Sequence, residues 1–139
     1  MLYRLAGEPE VSGTSSFTDV VSGSWYEDAV IWAEQNGIAE GYDTGEFGVG
    51  DAVTREQIAG FFCRYAAYAG SDSSASASLS GYPDADEVSD WAEAGLSWAV
   101  AEGLITGRSN GDEICLAPGE DTMRSETATI LMRFIETVL

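Results

Sequence analysis

Residues 24–38, Ser24-Trp25-Tyr26-Glu27-Asp28-Ala29-Val30-Ile31-Trp32-Ala33-Glu34-Gln35-Asn36-Gly37-Ile38, return as residues 90–104, Asp90-Trp91-Ala92-Glu93-Ala94-Gly95-Leu96-Ser97-Trp98-Ala99-Val100-Ala101-Glu102-Gly103-Leu104. Internal similarity of this kind marks a chain built from copies of one unit. Trp25, Ala29, Trp32 and Ala33 fall on one helical face, and Gly37 followed by Ile38 has the form of a left-handed C-terminal cap with its apolar contact. Gly103 followed by Leu104 closes the second copy in the same way. Ser24 with Glu27, and Asp90 with Glu93, have the spacing of a capping box, so helices are expected to begin at these residues.

Outward from this stretch the repetition covers about 55 residues. Phe17-Thr18-Asp19 opens the first copy and Tyr82-Pro83-Asp84 the second, with Trp25, Trp32, Gly37 and Gly41 recurring 66 positions later. Arg55 and Arg64 recur 69 positions later, as Arg124 and Arg133, so the intervening loop is three residues longer in the second copy. A closing helix starts at Thr54, which forms a capping box with Gln57 and carries Ile58, Phe61, Phe62 and Tyr65 inward; Thr127, Ile130, Leu131 and Phe134 correspond to them in the second copy. The loops before the closing helices, Asp43–Asp51 and Ser109–Asp121, carry glycines and short polar residues with turn chemistry. Met1-Leu2-Tyr3-Arg4-Leu5-Ala6 aligns with Phe61–Ala66 and Ile130–Ile135, as the tail of a preceding copy would. The expected organisation is a tail helix and linker at 1–16, a repeat at 17–70, a Ser/Ala-rich linker at 71–81 and a second repeat at 82–139.

Composition limits the partners. With 45% hydrophobic residues the chain can bury a core, and its charge of −18, from 24 acidic residues against 6 arginines with no histidine, opposes nucleic acid and anionic lipid. No run of 18 apolar residues occurs, so no membrane span is expected. Cys63 and Cys115 occupy non-equivalent positions without metal-ligand spacing and read as two structural thiols. Nucleophilic or acid–base catalysis finds no histidine, no phosphate loop and no distinctive carboxylate pair, so no catalytic residue and no cofactor is expected.

The order Phe17-x-Asp19-Val20, Trp25-Tyr26, Ala29-Val30, Ala33, Gly37-Ile38, Gly41, Phe47 and Val53-Thr54-Arg55-Glu56 resembles the S-layer homology domain. The second copy matches at Tyr82-Pro83-Asp84, Trp91, Trp98-Ala99, Gly103-Leu104-Ile105, Gly107 and Arg124-Ser125-Glu126. Met123 stands where that pattern has Thr, so capping by Asp121 or Thr122 is expected there. The resemblance implies an all-α architecture of tandem helix-loop-helix repeats packed as a partial pseudo-threefold bundle. It also implies an extracellular role at the bacterial cell wall: noncovalent anchoring to a secondary cell-wall polysaccharide, often one bearing ketal-linked pyruvate, in grooves between repeats. The tail Met1–Ala6 would supply part of a missing third strut, and its deletion would then lower the melting temperature.

A sugar carboxylate needs fixed donors, and Arg55 and Arg124 lie in the first turns of the closing helices, where free N–H groups favour an anion. They are the candidate carboxylate clamps, although Glu56 and Glu126 can engage them instead. Trp25 and Trp91 at helix starts suit either core anchors or sugar platforms, whereas Trp32 and Trp98 read as core. Asp19 and Asp84 serve either a turn or sugar hydroxyls, and Gly41 and Gly107 are turn residues that also permit close backbone approach. Arg4, Arg64 and Arg133 read as partners of carboxylates. Two other classes stay open: self-association through the face of the missing repeat, giving a homo-oligomer, and calcium binding by Asp43, Glu46 and Asp51 or by Asp112, Glu113, Glu120 and Asp121, neither of which has EF-hand spacing.

Overall fold

Each first helix ends where its glycine dictates. In a computed structural model describing all of residues 1–139, α2 spans Glu27–Gln35 and α4 spans Glu93–Ala101. Gly37 (φ 64°) and Gly103 (φ 68°) turn the chain so that the amides of Ile38 and Leu104 donate to Ala33 O and Ala99 O, both at 2.8 Å. The other helices are α1 (Leu2–Leu5), α3 (Arg55–Tyr68) and α5 (Arg124–Thr137). Strand pairing occurs in a hairpin of the longer second loop, with β1 (Arg108–Asn110) antiparallel to β2 (Glu113–Cys115) and Ser109 opposite Ile114, and in an isolated antiparallel bridge between Thr54 and Asp121. The chain is thus mainly helical, and the extra residues of the second copy are accommodated as a two-stranded ribbon.

The helix starts differ from expectation in three places. α2 and α4 begin after Tyr26 and Ala92, without a side-chain cap, rather than at Ser24 and Asp90. Glu27 instead accepts the Gly23 amide at 2.6 Å, while the Ser24 hydroxyl is buried without a partner. At α5 neither Asp121 nor Thr122 caps; Met123 occupies the cap position and its amide donates to the Glu126 carboxylate at 2.9 Å. Only the Thr54–Gln57 box forms on both sides, as expected.

The chain divides into two compact units, Met1–Asp51 and Ala52–Leu139. This division falls inside the first sequence repeat, between its loop and its closing helix. In the first unit α1 lies against α2, with the Tyr3 and Trp32 rings 5.6 Å apart and the Tyr3 hydroxyl donating to Pro9 O. In the second unit α3 lies against α4. Gly60 and Gly95 meet at that crossing, where a Cβ on Gly95 would sit 3.0 Å from Gly60 Cα. Phe134 of α5 completes this core, packing against Phe62 (4.9 Å between centroids), Tyr65 (5.8 Å) and Trp98 (6.3 Å). In both units a helix lies against the one that follows it in the chain, α1 on α2 and α3 on α4. Trp32 and Trp98 are core residues, as expected. The segment after α3 returns along α4, where Ala77 exchanges hydrogen bonds with Ser97.

Candidate binding site

The start of α3 is seated in the loop of the second copy. Its amides do not stay free: Arg55 N donates to Glu120 O at 2.9 Å and Glu56 N to Pro118 O at 3.0 Å. The side chains extend the contact. Arg55 is 3% exposed, with Nε on Leu116 O at 2.7 Å and Nη1 on Glu126 at 2.9 Å. Glu56 accepts from both the amide and the hydroxyl of Ser89, at 3.0 and 2.9 Å. The N–H groups that the sequence offered to a ligand carboxylate at α3 are therefore occupied by protein carbonyls.

Glu126 is the centre of this network. Besides Arg55 it accepts from Arg108 Nε at 2.6 Å and from Arg108 Nη2, and Arg108 also reaches Glu120 and Asp121 O. The hydrogen bonds from Arg108 hold the Glu126 carboxyl down at about 2, with Arg55 adding its charge. Burial lowers the Arg55 guanidinium and outweighs the pull of Glu126, whereas Arg108 is raised by its bonds to Glu126. Arg108 was the one arginine without a repeat counterpart, and nothing in the sequence marked it as the residue that ties the hairpin to α5.

Above this network lies a cavity of about 230 Å³ lined by Arg55, Thr106, Gly107, Ser125, Thr129 and Arg133, with Leu104, Ile105 and Ile130 as apolar wall. Arg133 does not pair with a carboxylate; Nη1 donates to Leu104 O at 3.2 Å, at the end of α4. Two expected site residues, Arg55 and Gly107, are brought together here. Gly107 (φ 82°) leaves no room for a side chain, since a Cβ would overlap Ile114 Cγ2 and lie 3.0 Å from Cys115 O. Its counterpart Gly41 (φ 70°) is tighter still, with a Cβ overlapping the Phe17 ring and lying 2.8 Å from Glu46 O.

The paired aspartates act on their own loops. Asp19 accepts the amides of Phe47, Gly48 and Val49 at 2.7–2.9 Å, and Asp84 those of Leu116 and Ala117 at 2.9 and 2.7 Å. Pro118 replaces Val49 in the second copy and has no amide, which removes the third bond. The backbone bonds from Val49 and Phe47 hold the Asp19 carboxyl below its usual range. The turn role is thus the one both aspartates fulfil. Trp25 and Trp91 are 91% and 61% exposed, which excludes core anchoring; the Trp25 ring packs at right angles to Tyr26, 5.5 Å between centroids. Arg124, the counterpart of Arg55, is exposed.

Arg4 pairs with Glu8 at 3.4 Å on the surface, and the Arg64 guanidinium lies 5.5 Å from the Phe61 ring centroid. The acidic residues considered for calcium do not converge, since no group of three or more His, Cys, Asp or Glu side chains forms a metal cage. Both thiols are free. No helix is long and apolar enough to cross a membrane.

Paired helices, an aspartate-clamped loop and an arginine at the head of each closing helix define a helical repeat module. The chain belongs to the S-layer homology domain family, whose model matches residues 16–59 and 81–112. It is 32% identical over 137 residues to the Surface-layer 125 kDa protein of Lysinibacillus sphaericus, covering 99% of this chain and 11% of that protein. It is 28% identical over 136 residues both to the Amylopullulanase of Thermoanaerobacterium thermosulfurigenes and to the Exoglucanase XynX of Acetivibrio thermocellus. Each match covers 98% of this chain, but only 7% and 12% of those two proteins. The chain thus spans about a tenth of the length of these relatives.

Proposed function

We propose that this module anchors its parent protein by binding an acidic secondary cell-wall polysaccharide, with a carboxylate substituent such as a ketal-linked pyruvate held in the cavity beside Gly107. The observation that carries the reading is the lining of that cavity. The lining combines the hydroxyl-bearing Thr106, Ser125 and Thr129, the apolar Leu104, Ile105 and Ile130, the guanidinium-bearing Arg55 and Arg133, and the Glu126 carboxylate, which Arg55 and Arg108 neutralise. Hydroxyls and a guanidinium suit a carboxylated sugar, while the apolar wall suits the ring's C–H face. Arg55 forms the floor with Glu126, orienting the cavity rather than reaching out of it. Trp25 and Trp91 offer exposed platforms for further sugar units along the polymer, and Arg124 a further cation.

The charge of −18 opposes the approach of an acidic polymer, so the local contact acts against the protein's wider field. The test is calorimetry with the pyruvylated polysaccharide, the depyruvylated polymer, and an Arg133→Gln variant checked for an unchanged melting temperature. Loss of a charge-assisted contact should weaken binding at least about tenfold in the variant and in the depyruvylated control. Equal affinity for the two polymers would remove the carboxylate from the reading.

A further inference from the structure

The hairpin of the second copy changes what lies on that copy's glycine. In the first copy the buried Phe17 ring packs directly on Gly41, so that a Cβ there would overlap it. In the second copy that place belongs to Ile114 of β2, whose Cγ2 a Cβ at Gly107 would overlap. Tyr82, the counterpart of Phe17, stands further off, with Cε1 3.4 Å from the same point, and is only half-buried. Between the hairpin and the segment carrying Tyr82 lies an open cavity of about 380 Å³, lined by Ser80, Gly81, Tyr82, Pro83, Glu113 and Ile114.

The polarity of this cavity is opposite to that of the one beside Gly107. There Arg55 and Arg133 contribute guanidiniums; here the one charged lining residue is Glu113. Arg108, the cation of the hairpin, is taken up by Glu120 and Glu126, which leaves the exposed Glu113 carboxylate unpaired. The neighbouring Cys115 thiol registers the sign of the field, since burial first and then the charges of Asp84, Glu113 and Glu87 push it up.

We propose that this cavity binds an amino sugar, with the protonated amine held by the Glu113 carboxylate and the Tyr82 ring. A carboxylate and an aromatic face both attract an ammonium group. Ser80 and the Gly81 backbone supply polar partners for ring hydroxyls, and Pro83 and Ile114 an apolar surface for its C–H groups. The volume suits a whole sugar ring, whereas the alkyl stem of a lysine would leave most of it to water. Ile114 also touches Gly107, so the two cavities of opposite charge share a wall. The inference rests on the reading of this module as a glycan binder, and adds that the polymer carries a free amine close to its carboxylated unit.

The experiment is calorimetry on the intact chain with a tetramer of glucosamine, its N-acetylated equivalent and a tri-lysine peptide. About pH 6 and about 0.15 M salt keep carboxylates ionised and screen the general attraction of an acidic protein for cations. The free-amine tetramer should bind about tenfold more tightly than the acetylated one. Glu113→Gln should remove most of that preference, whereas Asp112→Asn, which deletes the same charge from the adjoining turn outside the cavity, should leave it in place. Arg133→Gln should also leave it, so the two readings are separable: pyruvate dependence without amine preference overturns this proposal alone, and amine preference without pyruvate dependence overturns the carboxylate reading alone. Equal affinity for the two tetramers, or an equal effect of Glu113→Gln and Asp112→Asn, overturns the amine site. A tri-lysine peptide that binds through Glu113 as tightly as the amino sugar overturns the assignment to a glycan.

Discussion

Replacing Glu126 by Gln keeps the shape of the side chain and removes its charge from beneath two arginines. The carboxylate accepts from Arg55 Nη1 at 2.9 Å, Arg108 Nε at 2.6 Å, Arg108 Nη2, and the Met123 amide at 2.9 Å. Its pKa is about 2 in the folded chain against an ordinary 4.5. At about 1.4 kcal/mol per pH unit, that difference makes the ionised carboxylate worth about 3 kcal/mol to the fold. A separate route gives a similar figure. The Glu126 side chain is 19% exposed and that of Arg55 4%, and breaking a buried pair by removing one partner costs about 3–5 kcal/mol.

Because the folded pKa is the lower one, this stability is present above the unfolded value of about 4.5 and is lost as pH falls through about 2. Urea melts of the wild type and Glu126→Gln should therefore differ by about 3 kcal/mol near pH 7, by roughly half of that near pH 3, and very little below pH 2. The difference between the two proteins isolates Glu126 from the other carboxylates, which titrate in both. A gap that stays constant with pH, or one below about 1 kcal/mol at neutral pH, would refute the reasoning, because the network would then stabilise through shape and not charge.

Gly41→Ala should destabilise by about 1–3 kcal/mol in the same melts, since the added methyl overlaps Phe17 at a positive φ. Trp98→Ala should cost about 3–5 kcal/mol, and Trp25→Ala less than about 0.5, because the first is 1% exposed and the second 91%; on the proposed function, only the Trp25 change weakens polysaccharide binding without affecting stability. Asp19→Asn should speed hydrogen exchange at the Phe47 and Val49 amides, and the wild type should approach the variant as pH falls below the ordinary carboxylate range, because the Asp19 pKa is lowered.

Local signals were the ones the sequence carried well. Gly37, Gly103 and the Thr54–Gln57 box need only neighbours within a turn or two, and each forms as its residues require. The Ser24 and Asp90 boxes failed for an equally local reason. The indoles that follow them turn to solvent, the preceding segment keeps a non-helical turn, and Glu27 reaches the Gly23 amide instead. What the sequence could not display was the interlock. Arg55 meets Leu116 and Glu126, 61 and 71 positions away, and periodicity within a helix says nothing about contacts at that distance. Arg108 has no counterpart in the first copy, and it lies in the hairpin, where the copies differ and a new anchoring residue is needed. Arg133 was visible as a repeated residue, but its use of α4 carbonyls beside a cavity depends on how α5 crosses the end of α4.

The packing boundary between Asp51 and Ala52 is out of phase with the sequence repeat, and this bears on how such a chain can change length. A helix head and the bed that receives it lie in consecutive copies, so a duplicated cassette arrives with one of each and joins the series without leaving a mismatch, wherever recombination cuts. Loss of a whole cassette is equally harmless. A cut between Arg55 and Leu116, by contrast, would part a head from the bed that holds it and should loosen the interlock.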